Sequence, residues 1–302
     1  MADVETTQRL AFSRYLFQLA MEQSQAPEPL NAVAVLMFQD VVELVLHLAL
    51  EHLNVSAKSL AFEEYFDQLE KRLGVGAIQG RVSMRRLNKS RVALKHHGTL
   101  PAQIDIDAFR ASVADFLEVN VPALFGIQYA DVSLAALIAD DAARVTMQRA
   151  DKLRSEGDIP GTMEALSLTF ELLLRSVRDA TVAEFKTPYL RHLGRGDFDG
   201  LTGEFRSLIS GLVKSVTQLQ DEVRVLRLGL NPNRLRAFRR LVPHVAVAVS
   251  GVHAAWRDPN AQIATDAELQ YCYFFVVECA LQLQKLDSLP SSKAIQGFAG
   301  SR

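Results

Sequence analysis

The chain predicts an all-α protein, and three observations carry that prediction. Gly and Pro are scarce, 16 and 10 in 302 residues, or about 9% against roughly 12% in an average chain. Apolar residues recur at helical spacing in almost every segment. Strand-like alternation extends only over a short Val/Ala stretch at 245–249, which suits a buried helix equally well. With 49% hydrophobic and 23% charged residues, the composition is that of an ordinary globular chain and excludes a disordered or fibrous one. Its length allows two domains or one large one, each with its own core.

The elements follow in order. A helix over about 29–54 carries Leu36, Val42, Leu44, Val45, Leu48 and Leu53 as a wide apolar stripe. Ser59 is the expected N-cap of the next, which buries Phe62, Phe66, Leu69 and Leu73 and ends at Gly74. A helix over 80–97 stops at Gly98 and Pro101. Asp105 or Asp107 then caps a helix carrying Phe109, Val113, Phe116 and Leu117, which Val121-Pro122 closes. The spacing predicts a continuous helix over 133–155 with Gly157 as its stop, and Pro160 suits the first turn of its successor. The two form an antiparallel hairpin through Leu166, Phe170, Leu173 and Val177. Residues 194–200, with three glycines and two aspartates, read as a linker. A long helix over 201–230 follows, then one capped by Asn231-Pro232-Asn233, and Thr265 with Glu268 forms a capping box for the last, through Leu281. The expected organisation is a helical bundle at 1–128, a hairpin at 129–194 and a helical C-terminal domain at 195–302.

Several function classes drop out. The first residues are acidic, and Arg9 and Arg14 interrupt the apolar positions, so no signal peptide is expected. The most apolar stretch, 30–50, contains Gln39, Asp40, Glu43 and His47, a cluster that argues against a membrane span. Cys272 and Cys279 lie in an apolar helical segment and read as core thiols, neither a disulfide framework nor a metal site. No metal or other cofactor is implied, and the expected location is the cytoplasm.

Charge is distributed unevenly. The formal net charge is −2, yet residues 71–104 hold eight Lys/Arg and two His without one Asp or Glu. Lys71, Arg72, Arg81, Arg85, Arg86, Lys89, Arg91 and Lys95 make the run, and it closes on His96-His97-Gly98. Such a local positive field in a nearly neutral chain is suited to a polyanion. An arginine five residues ahead of a histidine can grip a phosphate and move a proton.

Residues 87–98, Leu-Asn-Lys-Ser-Arg-Val-Ala-Leu-Lys-His-His-Gly, resemble the motif helix of the HEPN superfamily, helical bundles found in RNA-cleaving toxins, CRISPR effectors and phage-defence proteins. That motif is an arginine followed by a histidine four to six positions on, here Arg91 with His96, or with His97 one residue further. Asn88 and the Lys-His-His-Gly ending are also like many bacterial members. The resemblance covers about residues 9–125. It implies catalytic roles for Arg91, His96 and His97 and a supporting role for Asn88; the functional reading of the polar stripe on the second helix adds Glu43, as an acid that orients Arg91 or a histidine. Val92 stands where active members often carry Asn, Asp or His.

The chemistry that fits is metal-independent RNA cleavage, in which a ribose 2′-hydroxyl attacks the adjacent phosphorus. A histidine serves as acid or base near neutral pH, and an arginine presents a fixed fork of donors to the phosphorane. Arg85, Arg86, Lys89 and Lys95 would hold the RNA backbone. Five residues along an ideal helix separate two side chains by roughly 140°. Unless the last turn unwinds, Arg91 and His96 therefore cannot share one small pocket, and the resemblance implies a homodimer that completes the site.

Two further features bear on function. Asp40, Glu43, His47 and Glu51 form a polar stripe that reads as a solvent-facing edge with internal pairs. A second acid-free stretch, 223–257, could extend an RNA track, with Phe238 or Trp256 as a stacking surface. The leading expectation is an RNA-binding or RNA-cleaving effector in bacterial stress or phage defence, with a protein partner or antitoxin docked on its C-terminal helices. The alternative, which Val92 favours, is a catalytically inactive helical adaptor that dimerises and binds a partner protein.

Overall fold

The computed structural model describes residues 4–182, 203–227, 229–247, 253–256 and 264–287; the expected linker at 194–200 and the side chains of Val177 and Trp256 lie outside that description. Among the described residues the chain forms ten α-helices and one two-stranded hairpin, so the all-α expectation holds. It divides into two compact units, Met1–Leu137 and Ile138–Arg302.

In the first unit, α2 (Val33–His52) is the central helix. It packs against α1 (Val4–Ser24), α3 (Phe62–Leu73), α4 (Arg81–His97) and α5 (Gln103–Phe125). Its apolar positions explain why: Val35, Phe38, Val41, Val42, Val45, Leu46 and Leu50 are fully buried, each side chain stabilising the fold by about 1.5–3 kcal/mol through burial. By length and composition Leu30–His52 could cross a membrane, and 61% of that apolar window is buried inside the fold. No other helix among the described residues passes that test.

The helix ends show where side-chain signals decide and where they do not. Ser59 lies in a turn at φ 56 rather than capping α3. The cap residue is Ala61, whose N–H donates to Glu64 at 2.6 Å. Likewise α5 starts at Gln103 after Ala102, so Asp105 falls in the first turn rather than at the cap. Pro122 does not close α5, which runs to Phe125. So near the end of a helix, proline leaves only one exposed carbonyl, that of Glu118, without its partner, while buried Val121 and Phe125 hold the turn on the core.

The loop before α4 is fastened to α5. The Gln79 N–H donates to Asn120 Oδ1 at 2.9 Å, and Asn120 Nδ2 donates back to the Gln79 carbonyl at 3.2 Å. Gly80 then turns the chain at φ 80, and a Cβ there would meet Phe116 at 3.5 Å. Fixing this turn sets the rotation of α4.

The second unit is built on the hairpin of α6 (Asp141–Ser155) and α7 (Ile159–Val182). The segment expected as one helix over 133–155 is interrupted: residues Leu134–Leu137 make a 3-10 turn, and α6 starts after Asp140. Asp140 accepts from the Ala143 N–H at 2.8 Å, and this local bond fixes a new helix start. Beyond α8 (Gly203–Arg227), Asn231 caps α9 (Pro232–Leu241) and Thr265 with Glu268 caps α10 (Asp266–Asp287), both as expected. Phe170, Phe238 and Phe275 from α7, α9 and α10 cluster at centroid distances of 4.8–5.8 Å. Cys272 and Cys279 are buried in α10 as free thiols, and burial pushes the Cys272 thiol up to about 12.

The described part of the Val/Ala alternation, 245–247, forms a strand and not a helix. β1 (His244–Val247) pairs antiparallel with β2 (His253–Trp256) in the register His244 to Trp256. Pro243 disfavours helical backbone at Val242, which is extended at φ −98, ψ 152. From that start the β-branched residues continue extended, with Val245 buried.

Candidate functional site

The position of Arg91 follows from the packing of α4. Met84 and Leu87 are its fully buried residues. Arg91 is the next residue on that stripe, four further on, so it faces α2 instead of turning to solvent. On α2, Asp40, Glu43 and His47 are spaced at i, i+3 and i+7 and meet it. These four, with Leu44 and with Tyr65 of α3, line an open pocket of about 300 Å³.

The carboxylates in this pocket are not equivalent. Burial raises the Asp40 carboxyl above its ordinary range, while the positive charges of Arg91 and Lys95 pull it back. Burial also raises the Tyr65 phenol, and the neighbouring Glu43 charge adds to it, so Tyr65 stays protonated and able to donate. His47 packs its ring against Tyr65 at a centroid distance of 6.2 Å. On its other side it makes a 3.1 Å bond from Nε2 to Glu51, which also pairs with Arg9 of α1. Burial opposes ionisation of Glu51, but Arg9 and His47 outweigh it and hold the carboxyl below its ordinary value. Among the described residues, no three His, Cys, Asp or Glu side chains converge as a metal-ligand set.

Of the expected site residues, the pocket brings together Arg91 and Glu43. Asn88 is half-buried one turn before Arg91, outside the lining. His96 and His97 are exposed, as are Arg85, Arg86, Lys89 and Lys95. The last turn of α4 does not unwind: Gly98, at φ 66, closes it with bonds to Leu94 at 3.1 Å and from Thr99 to Ala93 at 3.3 Å. The roughly 140° between Arg91 and His96 is therefore retained.

The basic run splits in two. Arg81 pairs with Glu63 at 3.1 Å, Asp67 at 2.6 Å and Glu70 at 2.9 Å, and Arg85 pairs with Glu63 at 2.8 Å. These acids lie on one face of α3 and neutralise Arg81 and Arg85 at the start of α4. No described carboxylate lies within ion-pair distance of Arg86, Lys89 or Lys95. In the second unit, Phe238 is buried within the aromatic cluster and offers no stacking surface, and Arg234 and Arg236 pair with Glu278 and Glu222.

The polar stripe on α2 does contain the expected internal pair, His47 with Glu51. Its other edge, however, faces Arg91 and not only solvent. Tyr65 completes the lining, and its one signal in the sequence is a hydroxyl within the apolar stripe of Phe62, Phe66 and Leu69. The fold and pocket define a class: an all-α protein whose N-terminal unit sets an arginine against a carboxylate–histidine stripe. Compared with models of protein families, with curated proteins and with solved structures, the chain matches none.

Proposed function

We propose that the N-terminal unit binds RNA over the C-terminal half of α4 and cleaves it without a metal. Arg91 stabilises the phosphorane, and His96, with His97 beside it, transfers a proton. The observation that carries this reading is the placement of Arg91: it lines an open pocket with a histidine, two carboxylates and a phenol, and Arg86, Lys89 and Lys95, which no described carboxylate pairs, share its helix. A half-buried fork of donors is suited to a phosphodiester, and exposed cations nearby to the flanking backbone.

Because α4 is unbroken through His97, the His96 that meets Arg91 comes from a second copy, and the acting form is a homodimer. The resemblance of residues 87–98 supports the placing of this activity in bacterial stress or phage defence, with a cytoplasmic setting. The test is incubation of the purified protein with structured and unstructured RNA in EDTA. Cleavage that leaves 2′,3′-cyclic phosphate or 3′-phosphate ends supports the reading; activity seen only with added magnesium overturns it.

One observation favours the second reading, a non-catalytic adaptor. Phe205, Leu208, Leu212, Leu219, Val223 and Leu226 are exposed along α8, a row at helical spacing of the kind that receives a partner protein. Pull-down of a protein partner by a chain that neither binds nor cleaves RNA would establish it.

A further inference from the structure

We propose that His47 is a second proton-transfer residue of the Arg91 centre, acting as general base on the ribose 2′-hydroxyl with Glu51 as its positioning residue. The inference rests on the RNA-cleavage reading above and adds a residue that lies outside the α4 motif.

Cleavage of a phosphodiester by its own 2′-hydroxyl needs a base, an acid and a cation. The helical rotation between Arg91 and His96 keeps those two apart within one copy. His47 has no such difficulty, because it reaches the pocket from α2, and the i, i+3, i+7 stripe of Asp40, Glu43 and His47 meets the Met84–Leu87–Arg91 stripe of α4. It is the histidine that lines the same pocket as the arginine.

The hydrogen bonding then selects its role. Arg9 keeps Glu51 ionised, so the carboxylate can only accept. The 3.1 Å bond to Glu51 therefore places the proton of a neutral imidazole on Nε2. Nδ1 is left as the lone-pair nitrogen, and an acceptor is what a base requires. The Tyr65 ring at 6.2 Å and the Glu51 bond restrain the imidazole from two sides. A histidine held in one tautomer by an ionised carboxylate is an oriented base.

The step balances. His47 Nδ1 takes the 2′-hydroxyl proton, the 2′-oxygen forms a bond to phosphorus, and the bond from phosphorus to the 5′-oxygen breaks. The leaving oxygen takes a proton from the His96 imidazolium. The products are a 2′,3′-cyclic phosphate and a 5′-hydroxyl; His47 ends protonated and His96 neutral, and solvent resets both. Arg91 carries the extra negative charge of the phosphorane throughout.

The experiment is single-turnover cleavage of a short oligoribonucleotide in EDTA by the full chain, its His47→Gln, Glu51→Gln and His96→Ala variants, with RNA affinity and the thermal melt recorded for each. The inference expects H47Q to lose about 10²–10⁴-fold in rate at nearly parental affinity, with the ascending limb of the pH–rate profile gone. E51Q should lose less, at unchanged affinity, and a 2′-deoxy substrate should be inert. H47A, with a space that added imidazole can fill, is the second variant, and partial rescue is expected. Parental cleavage that survives in H47Q but not in H96A overturns the base assignment and leaves the Arg91 reading standing. A folded parent chain that cleaves no RNA overturns both.

Discussion

The two halves of α4 carry the same kinds of side chain and put them to different use. In the first half, Arg81 and Arg85 are tied to Glu63, Asp67 and Glu70 of α3. In the second half, Arg91 faces a pocket on α2, while Lys95, His96 and His97 remain in solvent. What separates them is the neighbour: α3 offers acids at i, i+4 and i+7 to the first half, and α2 offers a mixed histidine and carboxylate stripe to the second. A run of positive charge is thus not one feature, because the partner across the groove decides whether a cation supports the fold or stays available to a ligand.

The comparison breaks most visibly at Arg91. Its replacement by Ala should lower RNA cleavage by about 10²–10³-fold, the loss typical when a donor to a developing oxyanion is removed, while the thermal melt changes little. Arg81→Ala should do the reverse, lowering the melting temperature and leaving RNA affinity intact; parallel melts and filter-binding curves check the pair. Leu87→Ala, which truncates a fully buried side chain of α4, should cost about 2–5 kcal/mol in a denaturant titration.

Charge removal at Arg86, Lys89 and Lys95 sharpens the same contrast. If these three meet phosphates, the triple Gln variant should flatten the salt dependence of RNA affinity by a log–log slope of about 2–3. Removing the charge of Arg85, already neutralised by Glu63, should alter that slope far less.

The smallest effects come from pH. Arg85, partly opposed by burial, and then Arg81 hold the Glu63 carboxyl below its ordinary 4.5. Its contribution to stability is therefore complete above that value and disappears as pH falls through the lower folded pKa. Glu63→Gln should lower the melting temperature at pH 7, and by progressively less as pH falls below 4.5. Asp40 has the opposite sign, since burial raises it above 3.8 and its ionised form weakens the fold at neutral pH. Asp40→Asn should raise the melting temperature slightly at pH 7 and leave it unchanged at pH 3.

Much of this was legible in the residues, for identifiable reasons. Asn231 and the Thr265–Glu268 pair mark helix starts because their side chains make the capping bonds themselves. Ala102 caps α5 with no side-chain signal at all, and at Ala61 the signal for α3 comes only from Glu64, three residues on. The inward aim of Arg91 follows from its place after Met84 and Leu87, which spacing alone reveals. The neutralisation of Arg81 and Arg85 was hidden because the acids concerned end at Glu70, one residue before the acid-free run begins. Tyr65 and the role of His47 depend on which face of α3 and α2 meets α4, and periodicity within one helix does not specify a neighbour.

The double duty of α2 has a consequence for how this chain can change over time. One set of its residues fills the core while the interleaved set, Asp40, Glu43 and His47, lines the pocket. Each residue added to or lost from a helix rotates everything beyond it by about 100°. A single deletion between Asp40 and His47 would carry His47 and Glu51 away from Arg91 and bring Val45, Leu46 and Leu50 out of the core in the same stroke. Point substitutions can tune the pocket and the core separately; changes of length along α2 cannot.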